Sequence, residues 1–390
     1  MTFALTAERL FDGHELVDHA VLVIDGEKIA SVGTSPPEGM QVIDLGDATL
    51  LPGLIDTHQH LVFNGVGTLE EQVTDISDDE LADRARENAT RALRAGITTI
   101  RDLGDRDFVT LHLRDDPELP TILAAGPPIT PEGGHCWYLG GSCTGADGLV
   151  AAVEERKRRG CDVVKIMVTG GALTPTYPMW KSQFSAAEVK TVVAAAHERG
   201  LPVAAHCHGI DGIWDALTAE VDTIEHCTYF TESGMSEPDQ RLIAAIAASG
   251  IVVSASLGRD TRFQPPPVIA ANFSTMVGAL GELWRMGGKI CIGTDAGIGP
   301  GKPHDILPTA AMDLATAGLT PQEILTTLTV SGANAIGLGS RKGRLLPGYD
   351  ADVLAVDGNP LVDPDALRNV HACGGTERSS SGAVPAPAGR

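Results

Sequence analysis

No two cysteines of this chain stand in a C-x-x-C pair, although the sequence contains seven. A thiolate zinc site and a small disulfide framework are therefore not expected, and a reducing cytoplasm is the default compartment. Cys207, Cys227 and Cys291 fall in or beside apolar runs and read as small buried fillers. Basic residues are also scarce: 29 Lys and Arg face 51 Asp and Glu, for a formal net charge of −22. The basic stripe that nucleic acid demands is missing, and so is a polybasic membrane contact. The acidity reads as a solubility feature. No apolar run approaches membrane-spanning length. The opening Met1-Thr2-Phe3-Ala4-Leu5 lacks the basic region and apolar core of a secretion signal, so Asn272-Phe273-Ser274 matches a glycosylation pattern only by chance. There is no P-loop and no G-x-S-x-G elbow, and Gly337-Leu338-Gly339 is not completed into a dinucleotide fingerprint.

What is present is a chain of 390 residues, 43% hydrophobic and 21% charged. That exceeds a single small core, and an α/β barrel of about 250 residues with an accessory domain fits the length. Near the start, Val21-Leu22-Val23-Ile24, the turn Asp25-Gly26 and Lys28–Gly33 read as a hairpin. A similar texture returns at Val353-Leu354-Ala355-Val356, followed by Asp357-Gly358. The two β-rich ends are expected to pair in one small sheet domain.

Between them, eight strand-like runs alternate with helical stretches such as 78–95 and 185–199. The runs begin at Leu54, Ile97, Thr121, Val163, Val203, Thr223, Ile251 and Ile290. Gly96, Gly160, Gly200 and Gly250 each stand between a helical stretch and a strand, the position of a helix C-cap. Repeated strand–helix units imply a parallel sheet, and eight of them suggest a closed (β/α)8 barrel, with an open doubly wound sheet as the alternative. Residues 374–390 are rich in Gly, Ser, Ala and Pro and read as a disordered tail.

Chemistry-bearing residues gather at the ends of these strands. His58 and His60 close the first run at i, i+2, so both side chains project to one side of a strand. His206 and His208 end another strand with the same spacing, His226 ends the next, and Asp295 follows the last. Lys165 sits inside Val163–Val168, where a lysine is costly unless paired or neutralised. In a barrel the carboxyl ends of the strands converge on one face. Imidazoles and a carboxylate gathered there suit zinc or a similar divalent ion. Taken singly, each His reads first as a hydrogen-bonded core or loop residue, Lys165 as a structural ion-pair partner and Asp295 as a turn cap; the joint pattern is what points to metal.

These residues carry a resemblance. Pro52–His60 resembles the opening H-x-H motif of the amidohydrolase superfamily in its binuclear, carbamylated-lysine form. Gly293-Thr294-Asp295-Ala296-Gly297 is similar to its closing aspartate motif, and Gly343–Asp352 to its return into a β-sandwich. Val168-Thr169-Gly170-Gly171, Gln183-Phe184-Ser185 and Ala205-His206-Cys207-His208-Gly209 most resemble the prolidase- and carboxypeptidase-type branch. That branch includes ochratoxin-hydrolysing enzymes and is related to imidazolonepropionases. The resemblance covers about residues 1–373. It implies a (β/α)8 TIM barrel over 54–341 and a β-sandwich built from 1–53 and 342–373. It further implies two divalent metal ions, with zinc expected. His58, His60 and Asp295 would hold one ion, His206 and His226 the other, and Lys165, carboxylated by CO2, would bridge them. His135 matches a position that polarises the scissile carbonyl; by itself it reads equally as a residue of a flexible Gly-rich loop. His208 falls where many relatives have Tyr, a position that contacts substrate oxygen. Asp295 would act as general base and then acid. After His371-Ala372-Cys373 the tail departs from the family's usual final short strand.

The expected activity is hydrolysis of a C–N amide bond in an N-acyl amino acid or dipeptide-like small molecule, with a cyclic amide or lactone as the near alternative. A mononuclear deaminase of a heterocycle would leave Lys165 without a role. A non-catalytic member would have lost ligands that this chain keeps. Arg259 and Arg262, on a loop after a strand, are candidates for receiving a carboxylate, with surface solvation as the default. His304 reads as a loop-structuring residue. The expected partner is a small molecule rather than nucleic acid or membrane, and a homo-oligomer is compatible with the sequence.

Overall fold

The computed structural model describes residues 1–174, 176–235 and 239–374, and its fold is α/β. Apart from Gly374, the expected tail at 374–390 lies outside the described residues. The first five strands are β1 (Thr2–Phe11), β2 (Leu16–Asp25), β3 (Lys28–Gly33), β4 (Val42–Asp44) and β5 (Ala48–Pro52). The next are β6 (Leu54–Gln59), β7 (Ile97–Asp102), β8 (Thr121–Ala124), β9 (Val164–Met167), β10 (Val203–Gly209) and β11 (Thr223–Thr231). The last are β12 (Gly234–Met235), β13 (Val252–Ala255), β14 (Lys289–Ile292), β15 (Val353–Asp357) and β16 (Val370–Gly374).

Both ends of the chain enter one mixed seven-stranded sheet, in the order β16-β15-β5-β1-β2-β3 with β4 also on β1. The Asp25-Gly26 hairpin is there, with Asp25 opposite Lys28. The hydrogen bonding runs through one continuous sheet. The cause lies in β1, whose ten residues are long enough for two partners. Ala4–Thr6 pair with β4, and Arg9 and Leu10 pair with β5. β15 then adds to β5, and His371-Ala372-Cys373 belongs to the edge strand β16.

The eight parallel strands of the middle segment fall into two arcs. One is β6-β7-β8; the other is β9-β10-β11-β13-β14, with the short β12 hanging on β11. Single bridges touch across the two gaps, Ile129 to Ile166 and Gln59 to Ala296. Neither gap carries a continuous ladder. After β8 the chain runs Gly126-Pro127-Pro128, and proline has no N–H to extend a ladder. Beyond β14 the chain turns at Asp295, whose φ of 60° breaks the strand conformation.

Helices separate the strands: α1 (Asp78–Arg94), α2 (Gly145–Arg159), α3 (Ala186–Glu198), α4 (Ile210–Ala219), α5 (Gln240–Ser249) and α6 (Pro267–Arg285). α1 and α3 start at capping boxes, Ser77 with Glu80 and Ser185 with Glu188. Gly96, Gly160, Gly200 and Gly250 follow their helices with positive φ, the conformation for which a C-terminal glycine is chosen. Leu81, Ala85, Ala89 and Ala92 of α1 recur at three- and four-residue spacing and are fully buried in the core shared with β7. No helix among the described residues is long and apolar enough to cross a membrane.

Candidate metal centre

The end of β6 is locked to the turn after β14. Asp56 accepts from Thr294 N (2.9 Å), Thr294 Oγ1 (2.7 Å) and Gln59 Nε2 (2.8 Å). Burial pushes the Asp56 carboxyl up to about 6, against these donors. Asp295 N donates to His58 O at 2.7 Å, and His60 N to Ala296 O at 3.0 Å. A side chain on Gly293 would overlap His58, so only glycine fits there.

This lock sets one donor group. His58 Nε2 and His60 Nε2 lie 3.2 Å apart, and Asp295 Oδ1 is 3.5 Å from the first and 3.3 Å from the second. His58 Nδ1 donates to Glu225 Oε2 at 3.0 Å, and His60 Nδ1 donates to Gly104 O at 3.0 Å. With each Nδ1 committed as a donor, each Nε2 keeps its lone pair for a cation. Burial lowers His58 to about 4. Burial also opposes charge on His60, but Asp295 beside it turns the net direction upward. Asp295 is held well below the usual carboxylate range because His58 and His60 outweigh its burial.

The second group comes from β10 and β11. Donor atoms of His206, His208 and His226 lie within 4.8 Å of one another. His206 Nε2 donates to Gly170 O at 3.0 Å. His226 Nδ1 is bonded to Ser256 Oγ at 2.6 Å, and His208 Nδ1 to Thr228 Oγ1 at 2.8 Å. Burial puts His208 at about 3 and takes His206 and His226 well below the ordinary imidazole value. Neutral imidazoles are the form that binds metal.

Lys165 lies on β9 beside Ala204 of β10, fully buried. Among the described residues its Nζ has no hydrogen-bond partner, and burial drives its pKa down. An orphaned buried amine is costly. His135 is buried too. Its N donates to Gln183 Oε1 at 2.7 Å, Nδ1 is bonded to Thr174 Oγ1 at 2.7 Å, and its ring sits 4.6 Å from that of His206. A side chain on Gly171 would overlap this ring. His135 thus lies in a Gly-containing loop with its ring buried and hydrogen-bonded.

His58, His60, His135, Lys165, His206, His208, His226 and Asp295 line one cavity of about 510 Å³, within the size range of small-molecule sites. Arg259 lines it as well, whereas Arg262 is 84% exposed and paired with Asp260 at 2.5 Å. His304 is bonded to Gln59 Oε1 and Phe63 O, both at 2.9 Å, and braces the loop after β6. All seven cysteines are free, with Cys207, Cys227 and Cys291 buried as expected. The donors are imidazole nitrogens and one carboxylate, in two adjacent groups with an orphaned amine in the same cavity. That set fits borderline divalent cations.

Comparison with known proteins accords with this chemistry. The family model described as the amidohydrolase family matches residues 49–378. The chain belongs to the amidohydrolase family. It is accordingly an enzyme, a hydrolase of a family that binds divalent metals. This amidohydrolase is 27% identical to ochratoxinase of Aspergillus niger, over 90% of this chain and 80% of that one. It is 28% identical to imidazolonepropionase of Pseudomonas paraeruginosa, over 88% of each chain. Among solved structures it matches a Xaa-Pro dipeptidase with bound methionine in the active site, with TM-score 0.85, 27% identity, and 97% and 99% of the two chains covered.

Sequence reasoning passed over two residues of the amidohydrolase site. Arg101 and Glu225, both buried, pair at 2.8 Å. Arg101 Nε also donates to Thr57 O at 2.7 Å, and Glu225 accepts the hydrogen bond from His58 Nδ1. Burial opposes ionisation of Glu225, yet Arg101 and then His58 hold it well below the usual range. The available signal was a charged residue inside each of two apolar strands, Ile100-Arg101 and Ile224-Glu225.

Proposed function

We propose that this amidohydrolase cleaves a C–N amide bond of an N-acyl amino acid or dipeptide-like substrate at a two-ion centre. The observation that carries the reading is Lys165, a buried amine without a hydrogen-bond partner among the described residues, in the same cavity as two groups of metal-type donors. Carboxylation of its Nζ would turn a costly cation into an anionic oxygen donor that both groups could share. His58, His60 and Asp295 would hold one ion, His206 and His226 the second, with zinc the expected metal. When bound, the ions supply Lewis acidity toward water and the amide carbonyl.

The remaining steps belong to side chains. Asp295 accepts the proton of the attacking water and delivers it to the departing nitrogen. His135, its Nδ1 tied to Thr174, offers its other nitrogen to the carbonyl oxygen as negative charge develops there. His208, its Nδ1 tied to Thr228, stands beside His226 to meet a substrate oxygen. Glu225 and Arg101 act behind His58, fixing its ring and tautomer.

The same proposal closes the two arcs into a (β/α)8 barrel over 54–341 through the bridges at Ile129 and Ala296. Residues 1–53 and 342–373 form the accessory domain. A library of N-acyl amino acids and dipeptides, offered to protein reconstituted with zinc and bicarbonate, tests the activity. Hydrolysis that disappears in Lys165→Ala and His58→Ala supports the reading; hydrolysis indifferent to both overturns it.

A further inference from the structure

We infer that Arg259 selects the substrate by binding a free carboxylate, while α6 receives an apolar side chain of the same molecule. The inference rests on the amide-hydrolase reading and names the substrate class of that cavity.

Arg259 follows β13 on a loop pinned at two successive residues. Gly258 N donates to Asp313 Oδ2 at 3.1 Å, and Arg259 N donates to Thr309 Oγ1 at 3.1 Å. The guanidinium carbon lies 4.2 Å from the centre of the Phe273 ring. A cation held over a ring in this way spends none of its N–H donors on a carboxylate or carbonyl acceptor. Nε is buried without a hydrogen-bond partner, and among the described residues the side chain makes no ion pair.

The neighbouring charges are engaged elsewhere. Asp260 is held by Arg262, and Lys302 donates to Thr294 O at 2.9 Å and Ser256 O at 3.3 Å. Asp313 feels the charge of Arg259 but accepts its hydrogen bond from Gly258. The cavity thus contains a pre-positioned planar donor that lacks a carboxylate, a geometry suited to bidentate recognition.

The adjoining wall is apolar. Ile269, Met276 and Leu280 of α6 and Leu257 after β13 line the same cavity as the metal-type donors. A molecule with its amide at the donors and its carboxylate at Arg259 would set its side chain against this wall. An N-acyl derivative of a bulky apolar amino acid meets all three demands.

The test compares matched compounds on the zinc-loaded enzyme: N-acetyl-L-phenylalanine and N-acetyl-L-phenylalaninamide, which differ in the carboxylate. In the wild type the acid is expected to exceed the capped amide in kcat/KM by about 10- to 100-fold, chiefly through KM, as for a charge-assisted bond. Arg259→Met is expected to bring that ratio toward one with its metal content intact, and Arg259→Lys to restore part of it. Equal rates on both compounds in the wild type, or discrimination that survives Arg259→Met, overturns the inference. If neither compound is hydrolysed, the library of N-acyl amino acids and dipeptides tests the amide reading separately, and calorimetric titration of the acid decides the role of Arg259. Binding weakened about 10-fold or more in Arg259→Met supports it. Binding that is absent, or unchanged by the substitution, refutes it.

Discussion

Replacing Arg101 with methionine should cost this protein more than most single substitutions. Arg101 is 2% exposed, and its guanidinium donates to Thr57 O at 2.7 Å, Thr223 Oγ1 at 3.2 Å and Glu225 Oε1 at 2.8 Å. Methionine keeps the apolar volume but leaves the Glu225 carboxylate buried, with only His58 and Thr223 donating to it. Breaking a buried ion pair by removing one partner costs about 3–5 kcal/mol. Urea denaturation of the metal-free protein should show a loss of that size. The effect should also reach the site. Without Arg101, Glu225 takes up a proton more readily and orients His58 less firmly, so metal affinity should drop by about 10- to 100-fold. The double variant Arg101→Met/Glu225→Gln removes the stranded charge and should recover part of the stability. An Arg101→Met protein within about 1 kcal/mol of wild type, with unchanged metal affinity, would refute the reasoning, because a buried unpaired carboxylate cannot be that inexpensive.

Gly171→Ala should push the His135 ring aside and lower kcat by about 10- to 100-fold with metal content unchanged; kinetics beside metal analysis checks it. His208→Phe should retain two ions per chain and lose about 10- to 100-fold in kcat, whereas loss of an ion would make His208 a ligand. Asp105 is pushed up from 3.8 to about 7 by burial and then by Asp102. Between those values the folded protein holds a proton that the unfolded chain has released, so stability falls as pH rises through that window. Asp105→Asn should flatten that slope and raise the thermal midpoint at pH 7, measured by calorimetry at several pH values.

The sequence revealed the donors because strand geometry is periodic: His58 and His60, like His206 and His208, share a side by their spacing, and each candidate stands in or at the end of an apolar run. The ion pair behind them has no such signature. Arg101 and Glu225 are 124 residues apart, and their meeting depends on how β7 and β11 are placed across the fold. Gly171 and Gly293 were equally silent, since a glycine does not announce whose side chain it makes room for. The terminal strands were legible in part. The hairpin at Asp25-Gly26 follows from turn chemistry, but the single continuous sheet depends on β1 engaging two partners along its length. Arg259 and Arg262 look alike in sequence; only packing separates the one in the cavity from the one held at the surface by Asp260.

The claim that Lys165 is a shared, carboxylated ligand is tested most directly by reconstituting the protein with zinc and ¹³C-bicarbonate and recording its ¹³C spectrum beside its metal content. The account predicts two zinc ions per chain and a carbamate carbon signal that vanishes in Lys165→Met along with at least one ion. A single ion per chain, bound equally well in Lys165→Met and with no carbamate signal, would contradict it.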